Sequence, residues 1–154
     1  MPPTLINGIS ELKRYIGVPL GQTDWVEVSQ KTINGFADVT GDRQWIHTDV
    51  ERARRESPFG ETIAHGYLTV ALIPVLMPEL LRVEGVSMVV NSGIDRIRLQ
   101  APVPAGGKIR LSAEIKNVRE LASGAARVEI SVRFEVKDVT KPACTGKVIY
   151  VYYP

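Results

Sequence analysis

Long segments of alternating apolar and polar residues dominate the second half of the chain. The clearest lie within residues 108–118 and 125–138, where "KIRLSAEIKNV" and "ARVEISVRFEV" have Ile, Leu, Ala, Val or Phe at every second position over most of their length. Such alternation puts the apolar side chains on one face of a strand, which has to be buried. Residues 86–100 and 146–153 have the same character, and turns rich in Gly, Pro or Ala separate the four segments. The pattern predicts an antiparallel sheet with one apolar face.

The first half of the chain is mainly helical in pattern. Residues 5–17 are compatible with a short amphipathic helix, and a second helix is expected between Ser29, as its N-cap, and Gly41. A longer apolar helix is expected from about Tyr67, bent or restarted at Pro74. Strands and helices do not alternate as in a βαβ fold, so we expect an α+β fold. In this fold one sheet packs on a central apolar helix within a single domain, residues 1–154.

Composition excludes several classes of protein. With 44% hydrophobic and 23% charged residues the chain is an ordinary globular protein. A net charge of +2 and scattered basic residues do not indicate nucleic-acid binding. There is no apolar run of about 20 residues to span a membrane, and no N-terminal pattern of a signal peptide. The lone Cys144, expected in a turn between strands, cannot form a disulfide within the chain, and we expect a cytoplasmic protein.

An open sheet of long strands leaves an edge and a face to be covered. No second sheet is evident within the chain, and pairing with a second copy is a common solution. A homodimer is therefore expected.

The segment "TGDRQWIHTD", residues 40–49, places an acid and an imidazole five positions apart. Asp42 and His47 are either a turn cap and a packed ring or two parts of one active site. The second histidine, His65, also lies between helices, and loops on a rigid scaffold are where catalytic groups concentrate. Gly66 follows it at the expected start of the apolar helix, where free N–H groups can stabilise developing negative charge.

These residues carry a family resemblance. "FADVTGDRQWIHTD", followed by "PFGETIAHGYLTVALIP", resembles the signature of the MaoC-like dehydratases, the (R)-specific enoyl-CoA hydratases of the hot-dog fold. The later segment "DRIRLQAPVPAGGKIRLSAEI" is similar to a strand pair of the same family. Gln44-Trp45 replaces the usual Asn-Pro, a variant similar to the subgroup related to nodulation protein N, and Gly106-Gly107 replaces the usual Gly-Asp.

The resemblance implies reversible hydration of a trans-2-enoyl thioester to an (R)-3-hydroxyacyl thioester, without a cofactor. Asp42 and His47 would hold the water, since a carboxylate and an imidazole can share the required proton transfers. The N–H of Gly66 would stabilise the enolate oxygen. The substrate would be a thioester of coenzyme A or acyl carrier protein. Acyl chain length, carrier, pathway and which group of the pair takes the proton from water stay open.

Other residues are expected to contact the substrate. They are Trp45, Phe59, His65, Tyr67 and Arg98. Trp45 and Phe59 either form a wall of the acyl site or belong to the core. Arg98 either meets the phosphates of coenzyme A or lies on a solvated charged face, which is the favoured interpretation for most of the arginines, and His65 is expected to orient its turn rather than to react. The spacing of His47, Asp49 and His65 also matches a two-histidine, one-carboxylate metal site, but Asp49 as the cap of a helix over "VERARRES" is the favoured interpretation, and no metal is expected.

Two alternatives remain beside the hydratase. A hot-dog thioesterase would direct water at the thioester carbonyl, a reaction that does not need the acid–imidazole pair. A non-catalytic acyl-thioester binding subunit would have no use for Asp42, His47 and Gly66 together. Thiol release and loss of enoyl absorbance from one crotonyl thioester distinguish the three.

Overall fold

The structure is a computed structural model that describes residues 1–154. Its strands are β1 (Thr4–Ile6), β2 (Pro19–Gln22), β3 (Val26–Val28), β4 (Leu81–Val83), β5 (Met88–Leu99), β6 (Gly107–Glu120), β7 (Ala126–Val136) and β8 (Cys144–Tyr153). Its helices are α1 (Gln30–Thr40), α2 (Trp45–Thr48), α3 (Val50–Glu56), α4 (Gly66–Ala71) and α5 (Ile73–Leu76). Short 3-10 turns cover Ile9–Tyr15, Met77–Glu79 and Ala122–Gly124. None of the helices has the length and apolar character needed to cross a bilayer.

The main sheet confirms the predicted α+β architecture. Its strand order is β2-β6-β7-β8-β5, all pairs are antiparallel, and β3 also pairs with β6. The four predicted long strands are β5 to β8, with ends within two residues of the predicted bounds. The expectation that the chain has no second sheet was wrong, because β1 and β4 form a small parallel pair.

The inner face of the sheet packs on the apolar helix. Leu68 of α4 and Ile73 and Leu76 of α5 belong to the same buried cluster as Ile130 and Phe134 of β7. Burial of such side chains stabilises the fold by roughly 1.5–3 kcal/mol each. The alternation along β6 and β7 therefore has a direct cause, since their apolar face is the wall against which α4 and α5 lie.

The helix boundaries follow the predicted caps. The Ser29 hydroxyl accepts a hydrogen bond from the N–H of Thr32, and Gly41 ends α1 in the left-handed conformation, with φ of 81°. The apolar helix begins at Gly66, one residue before the predicted start, and is interrupted at Leu72. Pro74 lies in the first turn of α5, where its missing N–H has no partner to lose.

Two local predictions were wrong. Residues 5–17 do not form one helix: Thr4–Ile6 is extended because it pairs with Leu81–Val83, and only the following segment turns into a 3-10 helix. Cys144 does not lie in a turn but is the buried first residue of β8, paired with Phe134 on one side. In both cases pairing with a distant strand overrides the local pattern.

Strand β5 is an edge of the sheet with an apolar surface. It pairs with β8 alone, and five of its large apolar side chains are 38–59% exposed: Met88, Val89, Val90, Ile94 and Leu99. A bulge between Asp95 and Arg98 includes Arg96 at a φ of 50°. The bulge comes just before Leu99, the last residue of β5, which packs against Gly66.

Candidate active site

The fold brings Asp42, His47 and His65 together from three elements. Asp42 lies in the loop after α1, His47 is in α2, and His65 is the N-cap of α4. One nitrogen of each ring and one carboxylate oxygen of Asp42 lie within 4.8 Å of one another. A single water molecule that makes two hydrogen bonds of about 2.8 Å can bridge such a separation.

The side chain of His47 is held in one orientation. It is 7% exposed, and its Nδ1–H donates to the carbonyl oxygen of Ile63 at 2.7 Å. This bond assigns the proton of the neutral ring to Nδ1 and leaves a lone pair on Nε2. Burial lowers the pKa of His47, and the nearby His65 adds to that effect, although the bond to Ile63 and the Asp42 carboxylate oppose it. The neutral ring, with a free acceptor nitrogen, is therefore favoured.

His65 ties the other two residues together. Its Nε2–H donates to the backbone carbonyl of Asp42 at 2.8 Å, and its ring stacks on that of His47 at a centroid distance of 3.9 Å. The ring is 2% exposed, and its Nδ1 has no hydrogen-bond partner. His65 thus holds the Asp42 loop against the His47 ring.

Asp42 has a turn-capping role as well as its place in the cluster. Its Oδ1 accepts a hydrogen bond from the N–H of Gln44 at 3.4 Å, and its side chain is 51% exposed. The cap and the active-site interpretations of the motif are therefore compatible, since the bond to Gln44 uses one oxygen and leaves the other carboxylate oxygen available.

A cavity of about 230 Å³ opens beside this cluster, and we call it the reaction cavity. His47, Phe59, Gly66, Thr69 and Leu99 are among the residues that line it. The N–H of Gly66, at the start of α4, donates to no protein acceptor. A Cβ at Gly66 would lie 2.2 Å from Cδ1 of Leu99, so this position has no room for a larger residue without movement of Leu99.

The other predicted substrate-contacting residues lie outside this lining. Trp45 is partly buried, with the Arg52 guanidinium 4.3 Å from its ring centroid. Tyr67 is 74% exposed, and Arg98 is exposed on the edge strand β5. Of the five, the structure therefore brings only Phe59 into the reaction cavity, while His65 acts from behind His47.

The residues that could hold a metal differ from those in the linear motif. Asp49 accepts a hydrogen bond from the N–H of Arg52 at 2.9 Å and so caps α3, as predicted. The carboxylate that lies beside His47 and His65 is that of Asp42 and not that of Asp49. One nitrogen of each ring already donates to a main-chain carbonyl, which leaves only Nε2 of His47 and Nδ1 of His65 as ring ligands.

Three residues near the site escaped the sequence analysis. Gln30 donates to the backbone carbonyl of His47 at 2.7 Å and accepts from the hydroxyl of Thr62, which fixes α2 from behind. Leu99 covers Gly66 from β5. These contacts join residues far apart in the chain, and no local pattern indicates them.

Comparisons with known proteins identify the family of the chain. The profile of the MaoC-like domain matches residues 11–138. The 3-hydroxyacyl-thioester dehydratase Z of Mycobacterium tuberculosis is 42% identical over 144 residues, which is 94% of this chain and 95% of that protein. Nodulation protein N of Rhizobium meliloti is 35% identical over 93% of this chain and 89% of its own length. The unliganded R-hydratase PhaJ1 of Pseudomonas aeruginosa superposes with a TM-score of 0.71 at 25% identity, covering 90% of this chain and 81% of that one.

Proposed function

The chain belongs to the MaoC-like domain family, and from this we propose that it catalyses the reversible hydration of trans-2-enoyl thioesters to (R)-3-hydroxyacyl thioesters. The observation that carries the proposal is that two groups line one cavity and a third lies beside them. His47 and the free N–H of Gly66 line the reaction cavity, and Asp42 lies within 4.8 Å of the His47 ring. Water addition needs groups that relay a proton and a hydrogen-bond donor that stabilises the charge on the enolate oxygen. Asp42 and His47 can supply the first, and the Gly66 N–H can supply the second.

In the proposed reaction the pair holds the attacking water. Nε2 of His47 accepts one of its protons in a hydrogen bond, and the Asp42 carboxylate accepts the other. The water oxygen forms a bond to C3, and the electrons of the double bond move to the thioester oxygen, where the Gly66 N–H stabilises them. The pair takes one proton from the water and returns one proton to C2. As C2 is protonated, the electrons on the enolate oxygen return to re-form the thioester carbonyl, and the pair ends the cycle unchanged.

The direct test uses trans-2-crotonyl coenzyme A with two readouts. A hydratase removes the enoyl absorbance without releasing free thiol. Thiol release would instead identify a thioesterase, and binding without either change would identify a non-catalytic subunit. Comparing coenzyme A with acyl carrier protein thioesters in the same assay assigns the carrier. A full rate after dialysis against a chelator would show that the Asp42–His47–His65 cluster works without a metal.

We expect the product to be the (R)-3-hydroxy thioester, as the resemblance to the (R)-specific hydratases implies. The relay and the Gly66 N–H would hold the planar enoyl group with one face toward the water, so one enantiomer should predominate. Chiral chromatography of the product measures this. A predominantly (S) product would contradict the proposed placement of water and thioester.

We also propose that the protein acts as a cytoplasmic homodimer that pairs through β5. A solvated edge strand with five exposed apolar side chains is a site for pairing with a second copy. Leu99, which ends β5, covers Gly66 and lines the reaction cavity. Pairing through β5 would therefore affect the position of Leu99 and, with it, the reaction cavity. The buried free thiol of Cys144 suits a reducing compartment.

We expect Ile94→Lys to convert the dimer to a monomer and to abolish hydration. Ile94 is 59% exposed near the middle of β5, and a charge there would be buried without a partner in the paired state. Val39→Lys is the matched control, since Val39 is 83% exposed on α1. Sedimentation velocity and specific activity should be measured on the same samples. A monomer with full activity would contradict the role of the interface in the site.

A further inference from the structure

Helix α2 is a single turn, and it cannot provide hydrogen bonds for all of its own carbonyl groups. A helix leaves its last four carbonyls without partners inside the helix, and α2 has only four residues, Trp45–Thr48. The carbonyl of His47 receives no main-chain N–H. Its hydrogen bond comes from Gln30, the first residue of α1, whose Nε2 lies 2.7 Å from the carbonyl oxygen. The backbone that carries His47 is therefore fixed by a side chain from another helix.

The same side chain also holds the segment that orients the His47 ring. Oε1 of Gln30 accepts a hydrogen bond from the hydroxyl of Thr62, a residue that is 2% exposed. The next residue, Ile63, provides the carbonyl oxygen that accepts from Nδ1–H of His47 at 2.7 Å. Because the His47 carbonyl can only accept, the amide nitrogen of Gln30 has to face it, which leaves the amide oxygen for Thr62. One amide group thus contacts both the backbone of His47 and the segment that holds its ring.

These contacts join two segments that lie on either side of the imidazole. The N–H of Ile63 donates to the carbonyl of Ile46 at 3.0 Å. Residues 62–64 are fixed in turn by two main-chain hydrogen bonds to residues 103–105. Without Gln30, the bond between Ile63 and Ile46 would be the one main-chain link between α2 and this segment.

The position of the Ile63 carbonyl decides which nitrogen of His47 carries the proton. A neutral imidazole has two tautomers, and a carbonyl within hydrogen-bond distance of Nδ1 selects the form that is protonated there. Only this form leaves Nε2 free to accept a hydrogen bond from water. A displacement of about 1 Å would lengthen the bond beyond the usual limit of about 3.2 Å and remove this selection.

We propose that Gln30 is a positioning residue for the hydration reaction. It keeps His47 in the Nδ1-protonated tautomer by holding the His47 backbone and the segment from Thr62 to Ile63 at a fixed separation. Gln30 does not line the reaction cavity, so it acts through His47 and not on the substrate. This inference rests on the proposed hydratase function and adds to it a residue that sets the state of the relay.

Gln30→Met tests the proposal, because it removes both hydrogen bonds and keeps a side chain of similar length. On crotonyl coenzyme A its kcat should fall about tenfold or more, since misplacing a catalytic group by about 1 Å can cost about 10²-fold. KM should stay within about twofold, as Gln30 does not line the reaction cavity. Gln30→Glu should lose as much as Gln30→Met, because an ionised carboxylate still accepts from Thr62 but cannot donate to His47.

Asn34→Ala is the matched control. Asn34 is exposed on α1, and its Oδ1 accepts from the same amide nitrogen of Gln30 at 2.8 Å. This variant leaves the bonds from Gln30 to His47 and Thr62 in place and should keep the full rate. Thr62→Val combined with Gln30→Met should lose no more than Gln30→Met alone, because both act through one link. If Gln30→Met does not fold, Thr62→Val alone provides the same readouts, since it removes one of the two bonds.

The tautomers provide a readout that a general loss of stability would not change. The chain has two histidines, and their hydrogen bonds assign the proton to Nδ1 in His47 and to Nε2 in His65. Nitrogen-15 NMR of histidine-labelled protein distinguishes the two forms at about pH 8, well above the ordinary histidine pKa of about 6.5. In Gln30→Met the His47 signals should shift toward a mixture of tautomers, while the His65 signals stay as in the unaltered protein.

Three results would overturn the inference. They are a Gln30→Met variant that keeps its kcat, a loss of kcat in which His47 stays fully protonated on Nδ1, and a Gln30→Glu variant with the full rate. A failure of the proposed function gives a different result, namely no hydration of crotonyl coenzyme A by the unaltered protein. The NMR comparison would still show in that case whether Gln30 fixes the tautomer of His47.

Discussion

Asp42→Asn and His47→Gln should each lower the hydration rate by about a hundredfold or more, the range typical of general acid–base groups. Asp42→Asn keeps an oxygen that can accept from the N–H of Gln44, so the turn survives while the charge is lost. His47→Gln keeps a donor for the carbonyl of Ile63 but removes the ring nitrogen that accepts from water. Steady-state rates on crotonyl coenzyme A measure the loss.

The control for the carboxylate is Asp38→Asn. Asp38 lies near the end of α1, is 70% exposed, and pairs with Arg43 at 3.4 Å. This variant should keep the full rate, because surface pairs of this kind contribute little. Near-normal turnover in both site variants would contradict the catalytic roles. It would show that Asp42 is only a turn cap and that His47 is only a packed ring.

The pH profile of the unaltered protein provides a second readout of His47. Burial lowers the pKa of this ring, so the neutral form that accepts a proton persists below the ordinary histidine range. The hydration rate should therefore fall only as the pH drops through this lowered pKa, and the acid limb of the profile should lie below about pH 6.5. An acid limb above that value would show that another group controls the rate.

The parts of the fold that could be predicted are those encoded by neighbouring residues. The strands β6 and β7 alternate over most of their length, and one buried face is enough to specify them. The caps Ser29 and Gly41 act within their own helix turn. Thr4–Ile6, in contrast, is a strand only because it pairs with residues near position 82, and nothing in its own three residues distinguishes it from a helix start.

The candidate site divides in the same way. Asp42 and His47 are close in the chain, and a short loop keeps them close in space. The direction of a side chain depends instead on which face of its helix packs against the rest of the protein. Tyr67 is therefore exposed to solvent although it is next to Gly66 in the chain. Leu99 reaches Gly66 from a strand that bulges just before it, and no spacing along the chain encodes that contact.

Gly66→Pro should reduce kcat by about 10²- to 10³-fold, the typical cost of losing one donor to an oxyanion. Proline suits this position on the backbone, because Gly66 is the first residue of α4 and His65 before it has a ψ of 136°. The substitution thus removes the N–H, which has no protein acceptor, and leaves the helix start intact. Rates on crotonyl coenzyme A and a thermal unfolding curve should be measured together.

The new ring carbons also occupy space, and this effect has to be separated from loss of the donor. Gly66→Ala adds the same Cβ, 2.2 Å from Cδ1 of Leu99, but keeps the N–H. Leu99 is 50% exposed, so its side chain can turn away, and we expect Gly66→Ala to lose far less activity than Gly66→Pro. Combining Gly66→Pro with Leu99→Ala relieves the contact without restoring the donor. Continued inactivity of the double variant would assign the loss to the missing N–H, whereas recovery of the rate would show that Gly66 is needed for space and that the enolate oxygen is stabilised elsewhere.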